Sequence, residues 1–100
     1  MNTKFGRELK KGDFIIIACE HSLELGFYLD RGKGNSLQYY TFYDLVNWRA
    51  LGQEHPPIAD YIKHPDECKI ARYTPQLLND VYLDLYKQSI EALRMLKIRE

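Results

Sequence analysis

Six consecutive apolar residues, Phe14-Ile15-Ile16-Ile17-Ala18-Cys19, follow the turn signal Lys10-Lys11-Gly12-Asp13 and precede the polar break Glu20-His21-Ser22. Their β-branched isoleucines favour an extended, packed backbone. Strand side chains alternate between two faces, so a run that is apolar at both parities must be covered on both. The chain therefore has to supply a sheet core on one side of this strand and a helix or loop on the other.

The segments that follow supply the partners. Glu24 to Arg31 alternates, with Leu25, Phe27 and Leu29 on one face and Glu24, Gly26, Tyr28 and Asp30 on the other, which predicts a second strand. Arg31-Gly32-Lys33-Gly34-Asn35-Ser36 supplies glycines able to take positive φ, and the β-favouring aromatic run Leu37 to Tyr43 completes a hairpin with a basic tip. Asp44 is placed to cap a short helix through Leu45, Trp48 and Leu51 that stops at Gly52, with a strand over Leu45 to Arg49 as the competing assignment. Residues 53–66 hold Pro56, Pro57 and Pro65 and two of the three histidines, the composition of a long surface connection with room for one short element at Ile58 to Ile62. Cys68 to Tyr73 reads as a last short strand.

The final quarter predicts one long helix over Pro75 to Lys97, with Thr74 as N-cap and Pro75 in the first helical position. Leu77, Val81, Leu85, Ala92, Leu93 and Leu96 lie within an apolar arc of about half the circumference at 100° per residue. The arc is wider than one sheet contact needs. Either the sheet and the long connection both pack on it, or part of it is a homodimer or partner surface. The expected whole is one domain over residues 1–100, mainly β over 9–73, with the helix behind it.

Charge excludes one class of partner as the main one. Fourteen Lys and Arg balance fourteen Asp and Glu, whereas a protein that holds nucleic acid by neutralising phosphates carries a basic excess. The longest apolar run is too short for a membrane span, and the first residues lead into charge rather than a signal-peptide core, so a cytoplasmic protein without a membrane partner is expected. Cys19 and Cys68 are too few for a disulfide framework and are expected as reduced thiols.

Candidate chemistry is sparse. Cys19 and His21 with His64 and Cys68 form the ligand set of a structural zinc site if their segments meet, although the spacing matches no common finger and ordinary structural roles are the expectation. Glu20, Glu24 or Asp30 could pair with His21 as acid and base in a pocket between sheet and helix. No nucleophile elbow, phosphate loop or His-Glu-x-x-His is present, so no catalytic residue and no cofactor are predicted. The hairpin carries more. Tyr28, Tyr39, Tyr40 and Tyr43 stand beside the cations Arg31 and Lys33, a combination able to grip a protein partner or to stack bases. These six residues are the candidate binding surface, with a protein partner expected ahead of nucleic acid and ahead of a small enzyme or ligand-binding protein.

Leu9-Lys10-Lys11-Gly12-Asp13-Phe14-Ile15-Ile16, then Leu25-Gly26-Phe27-Tyr28-Leu29 and the run through Tyr39-Tyr40, resembles the opening of SH3-like small barrels. In that group a Gly-Asp turn starts the first strand and a glycine inside the second lets the sheet bend. The likeness covers Leu9 to Tyr43 and implies a strongly bent antiparallel sheet, a partly open barrel; the long terminal helix departs from that group's pattern, and the expected whole is an α+β domain with this helix packed across the sheet. The small, Tyr-rich, charge-balanced format is also similar to accessory proteins encoded by bacteriophages, which implies stoichiometric binding to a host or phage component.

Overall fold

A computed structural model describes residues 9–52 and 54–99 of the chain. The isoleucine run forms β1 (Phe14–Cys19), and a two-residue turn at Glu20 and His21 sends the chain back as β2 (Ser22–Arg31). After a short 3-10 turn come β3 (Leu37–Thr41) and α1 (Phe42–Ala50). The connection contains β4 (Asp60–Ile62) and leads to β5 (Lys69–Arg72), and α2 (Asp80–Met95) ends the fold. All strand pairings are antiparallel, in the order β4-β3-β2-β1-β5. The protein is an α+β domain with a five-stranded open sheet and two α-helices.

Both faces of the sheet are buried, and by different means. On one face Phe14, Phe27 and Tyr40 pack with Phe42 and Leu45 of α1 and with Ala92 and Leu93 of α2. Phe14 is the hub, its ring centroid 5.2 Å from Phe27, 5.8 Å from Phe42 and 4.9 Å from Tyr86. On the other face Ile15, Ile17, Tyr28, Leu37, Tyr39, Cys68 and Ile70 form a second cluster, joined by Ile62 at one sheet edge. Neither α-helix contributes to that cluster. Cys68, in the short connection that carries the chain from β4 at one edge to β5 at the other, completes that cluster.

The close approach of β2 and β3 needs Gly26. A Cβ there would stand 2.7 Å from the Tyr40 carbonyl oxygen and 2.8 Å from the Tyr39 ring. Any side chain would therefore push β3 away from β2 at the point where β2 leaves its pairing with β3. A register shift between Tyr28 and Asp30 adds a bulge nearby, which sharpens the local twist.

Three sequence expectations are corrected. The N-cap of α1 is Thr41, not Asp44: the Thr41 hydroxyl accepts from the Asp44 amide and the Asp44 carboxylate accepts from the Thr41 amide, each at 3.0 Å. This reciprocal pair sets the helix start three residues early and rules out the alternative strand. The terminal helix is likewise not continuous from Pro75. Thr74 caps only a 3-10 turn over Pro75–Leu77, Leu78 is extended, and Asn79 caps α2 by accepting from the Tyr82 amide at 2.9 Å. Two competent caps five residues apart produce two helices. Finally, Cys19 and Cys68 are joined as a disulfide, Cα to Cα 4.3 Å, rather than standing as free thiols. The antiparallel β1–β5 pairing, invisible in a residue count, puts them opposite each other.

Candidate functional site

Of the six hairpin residues singled out by sequence, the tyrosines separate sharply. Tyr28, Tyr39 and Tyr40 are 7%, 5% and 7% exposed. Strand alternation leaves half of a strand's residues in water only when one face of the sheet is solvated, and here Tyr28 and Tyr39 enter one core while Tyr40 enters the other. Their phenols behave accordingly. Burial pushes the Tyr39 hydroxyl well above its ordinary range, reinforced by its hydrogen bond to Glu24 Oε1 at 2.5 Å and by the charges of Glu24, Asp60 and Asp44. Burial, aided by Asp30, also raises Tyr28, and burial, aided by Asp44, raises Tyr40. These three rings are core, and the expectation that they face a partner is corrected.

The hairpin tip is built from its own contacts. Gly34 and Asn35 both take left-handed φ, at 62° and 67°. The Gly32 amide donates to the Ser36 carbonyl at 2.8 Å, and a half-buried Arg31 donates to Asn35 Oδ1 at 3.2 Å. The guanidinium thus helps to hold the loop shut. The Lys33 side chain lies outside the described part of the structure.

The four metal-ligand candidates do meet. Cys19, His21, His64 and Cys68 line one cavity of about 370 Å³ at the end of the sheet. Both sulfurs are consumed by the disulfide, and among the described residues no group of three His, Cys, Asp or Glu side chains could hold a metal ion. The acid–base candidates disperse. His21 and Glu20 are 3.7 Å apart on a fully solvated turn, Glu24 accepts from Tyr39, and Asp30 accepts from the Arg31 amide at 2.7 Å.

Tyr43 is the exception, and it leads to a surface that sequence did not mark. As the second residue of α1 it points away from the core, and it is 73% exposed. It lines two grooves at once. One, of about 390 Å³, is formed by Leu23, Leu25, Phe42 and Tyr82; the other, of about 460 Å³, is formed by Trp48, Leu51, Pro56, Pro57 and Ile58. The second groove exists because the Trp48 indole N–H donates to the His55 carbonyl, which pins the proline loop against α1. Leu23, Leu51 and Ile58 are 68%, 81% and 84% exposed, so each groove carries large apolar groups in water. Single exposed apolar residues are ordinary, but several around two joined grooves are not. None was marked in the sequence: Leu23 falls between the polar break and the second predicted strand, Leu51 ends the predicted short helix, and Ile58 opens the short element expected within the long connection.

An acidic line runs alongside Tyr43. Glu24 borders the first groove and Asp44 the second, and the Asp60 carboxyl bonds to Asp44. Burial raises the Asp60 pKa, with the Asp44 charge, the bond to Asp44 and the Glu24 charge adding to it. Comparison of the chain with protein-family models, curated proteins and solved structures finds no match. No helix among the described residues is long and apolar enough to cross a membrane.

Proposed function

We propose that this chain is a small non-enzymatic protein-binding module that docks a partner protein on the surface centred on Tyr43. The observation that carries the reading is the convergence of Leu23, Tyr43, Tyr82, Leu51 and Ile58, all exposed, on two grooves that share Tyr43. Exposed tyrosine beside aliphatic side chains is the composition of interface centres, where a few large residues carry most of the binding energy. The tight approach of β2 and β3 at Gly26 and the burial of the face without helices support a related reading of the scaffold as a bent, partly open SH3-like barrel. Such a barrel would hold the β2–α1 surface rigid, so that docking proceeds by occupancy with little rearrangement.

The test is site-specific photo-crosslinking with the photoreactive residue at position 43 or, as a control, at position 66 on the opposite connection. A single adduct formed at 43 and missing at 66, and abolished by Leu23→Glu with Leu51→Lys in a chain of unchanged circular dichroism, supports the reading. Equal adducts at both positions, or adducts unchanged by the double substitution, would overturn it.

A further inference from the structure

The two grooves share a charge pattern that narrows what they can hold. The formally charged residues lining them are Glu24, Asp44 and Glu54, and neither groove is lined by Lys or Arg among the described residues. In a chain whose charges balance overall, this surface is acidic where it is most apolar. Nucleic acid is thereby disfavoured, because its phosphates would meet carboxylates. A basic partner is steered in and held at the rim, while apolar groups displace water from the floor.

The backbone narrows it further. β2 pairs with β1 from Ser22 to Phe27, but its pairing with β3 begins only at Gly26. Residues 22–25 therefore have no strand on their β3 side among the described residues, because the chain has already turned into α1 at Phe42. That stretch of edge borders the groove of Leu23 and Leu25. An extended peptide can bond to such an edge while sending alternate side chains into the adjoining groove.

Resting on the reading of the Tyr43 surface as a docking site, we infer that its occupant is an extended segment of a partner protein in which bulky apolar residues alternate with Lys or Arg. The apolar residues fill the grooves on either side of Tyr43, the cations face Glu24, Asp44 and Glu54, and the segment lies along the free edge of β2.

Two fluorescent synthetic peptides of equal length test this by anisotropy with the full chain, both carrying Leu and Phe at alternate positions, one with Lys between them and one with Glu. The basic peptide is expected to bind at least about ten-fold more tightly, and to weaken about ten-fold between about 0.05 M and 0.5 M NaCl. Glu54→Lys should weaken it about three-fold to five-fold, and Tyr43→Ala should remove most binding of either peptide. Equal binding of the two peptides overturns the charge assignment and leaves the docking surface standing. Binding of neither, while position 43 still crosslinks to a natural partner, overturns the segment class alone. Basic-peptide binding untouched by Tyr43→Ala removes both. A dimer of this chain that forms at peptide-assay concentrations and is broken by Tyr43→Ala assigns the surface to a second copy and overturns the inference.

Discussion

Cys19 and Cys68 face each other one step beyond the last β1–β5 pair, Ala18 opposite Lys69, and their bond ties together strands that are 49 residues apart in sequence. β5 is an edge strand of four residues, held to the sheet by β1 alone. The disulfide is therefore the covalent anchor of the sheet edge and of the β4–β5 connection that covers one core.

Closing a loop of that length restricts the unfolded chain by roughly 4 kcal/mol in the chain-entropy model, with measured values typically about 2–4 kcal/mol. Cys19→Ser with Cys68→Ser, or a reducing agent, should lower the thermal midpoint by about 10–25 °C in a domain of this size. Calorimetry with and without reductant measures it. Alkylation of both cysteines in the untreated folded protein, with no change in midpoint, would contradict the bond.

Gly26→Ala should destabilise by about 1–3 kcal/mol or more, since the added carbon meets a backbone oxygen that cannot rotate away. Denaturant midpoints check it. The same substitution should open exchange of amides along the β2–β3 pairing before those between β1 and β5, because the strain falls on Tyr39 and Tyr40.

The buried phenols predict alkaline behaviour. Tyr28, Tyr39 and Tyr40 have folded-state pKa values above the ordinary 10.0. A raised pKa means that the folded state holds its proton longer than the unfolded one. Their contribution to stability is thus complete below about pH 10 and is lost as pH rises through the folded values. Phenolate absorbance should show these three of the eight tyrosines ionising late, together with loss of structure. Tyr39→Phe should reduce the late amplitude by one residue. Three early, independent ionisations in a folded chain would refute the burial.

Asp60 gives the opposite end of the pH scale. Its folded pKa is raised above 3.8 by burial and by the Asp44 and Glu24 carboxylates. The stability linked to its protonated form is present below pH 3.8 and is lost as pH rises through the folded value, so at neutral pH the ionised group opposes folding. Asp60→Asn keeps a partner for Asp44 and should stabilise the chain at pH 7 by a few tenths to about 1 kcal/mol, flattening the acid limb of the stability curve. Urea titrations of both proteins across the acid range measure the difference.

How much of this could be read from the sequence depended on whether a signal was local. The isoleucine run forms a strand with both faces covered, and the Gly-Asp turn, Gly26 and the β2–β3 hairpin lie where pattern and turn chemistry put them. What failed was pairwise. Alternation alone assigns the neighbours Tyr39 and Tyr40 to opposite faces but cannot say that both faces are covered. Cys19 and Cys68 meet only through the β1–β5 register, and the Tyr43 surface gathers residues from β2, α1, α2 and the proline loop. Only Tyr43 of the candidate tyrosines stays in water, because the capping box at Thr41 ends β3 early and rotates the next residues onto a helix.

The start of the terminal helix gives the last prediction. Two caps compete in the sequence, and the structure gives each its own short-range bonds: Thr74 accepts weakly from the Gln76 amide at 3.4 Å, Asn79 from the Tyr82 amide at 2.9 Å. The Asn79 cap serves sixteen helical residues that bury Ser89, Ala92 and Leu93, whereas Thr74 serves a single 3-10 turn with no buried side chain. Asn79→Ala should therefore cost about 1 kcal/mol and Thr74→Ala only a few tenths. If Thr74→Ala proves the more damaging in equilibrium unfolding, the helix begins at Pro75 after all, and Leu77 and Val81 belong to its continuous face rather than to the solvent.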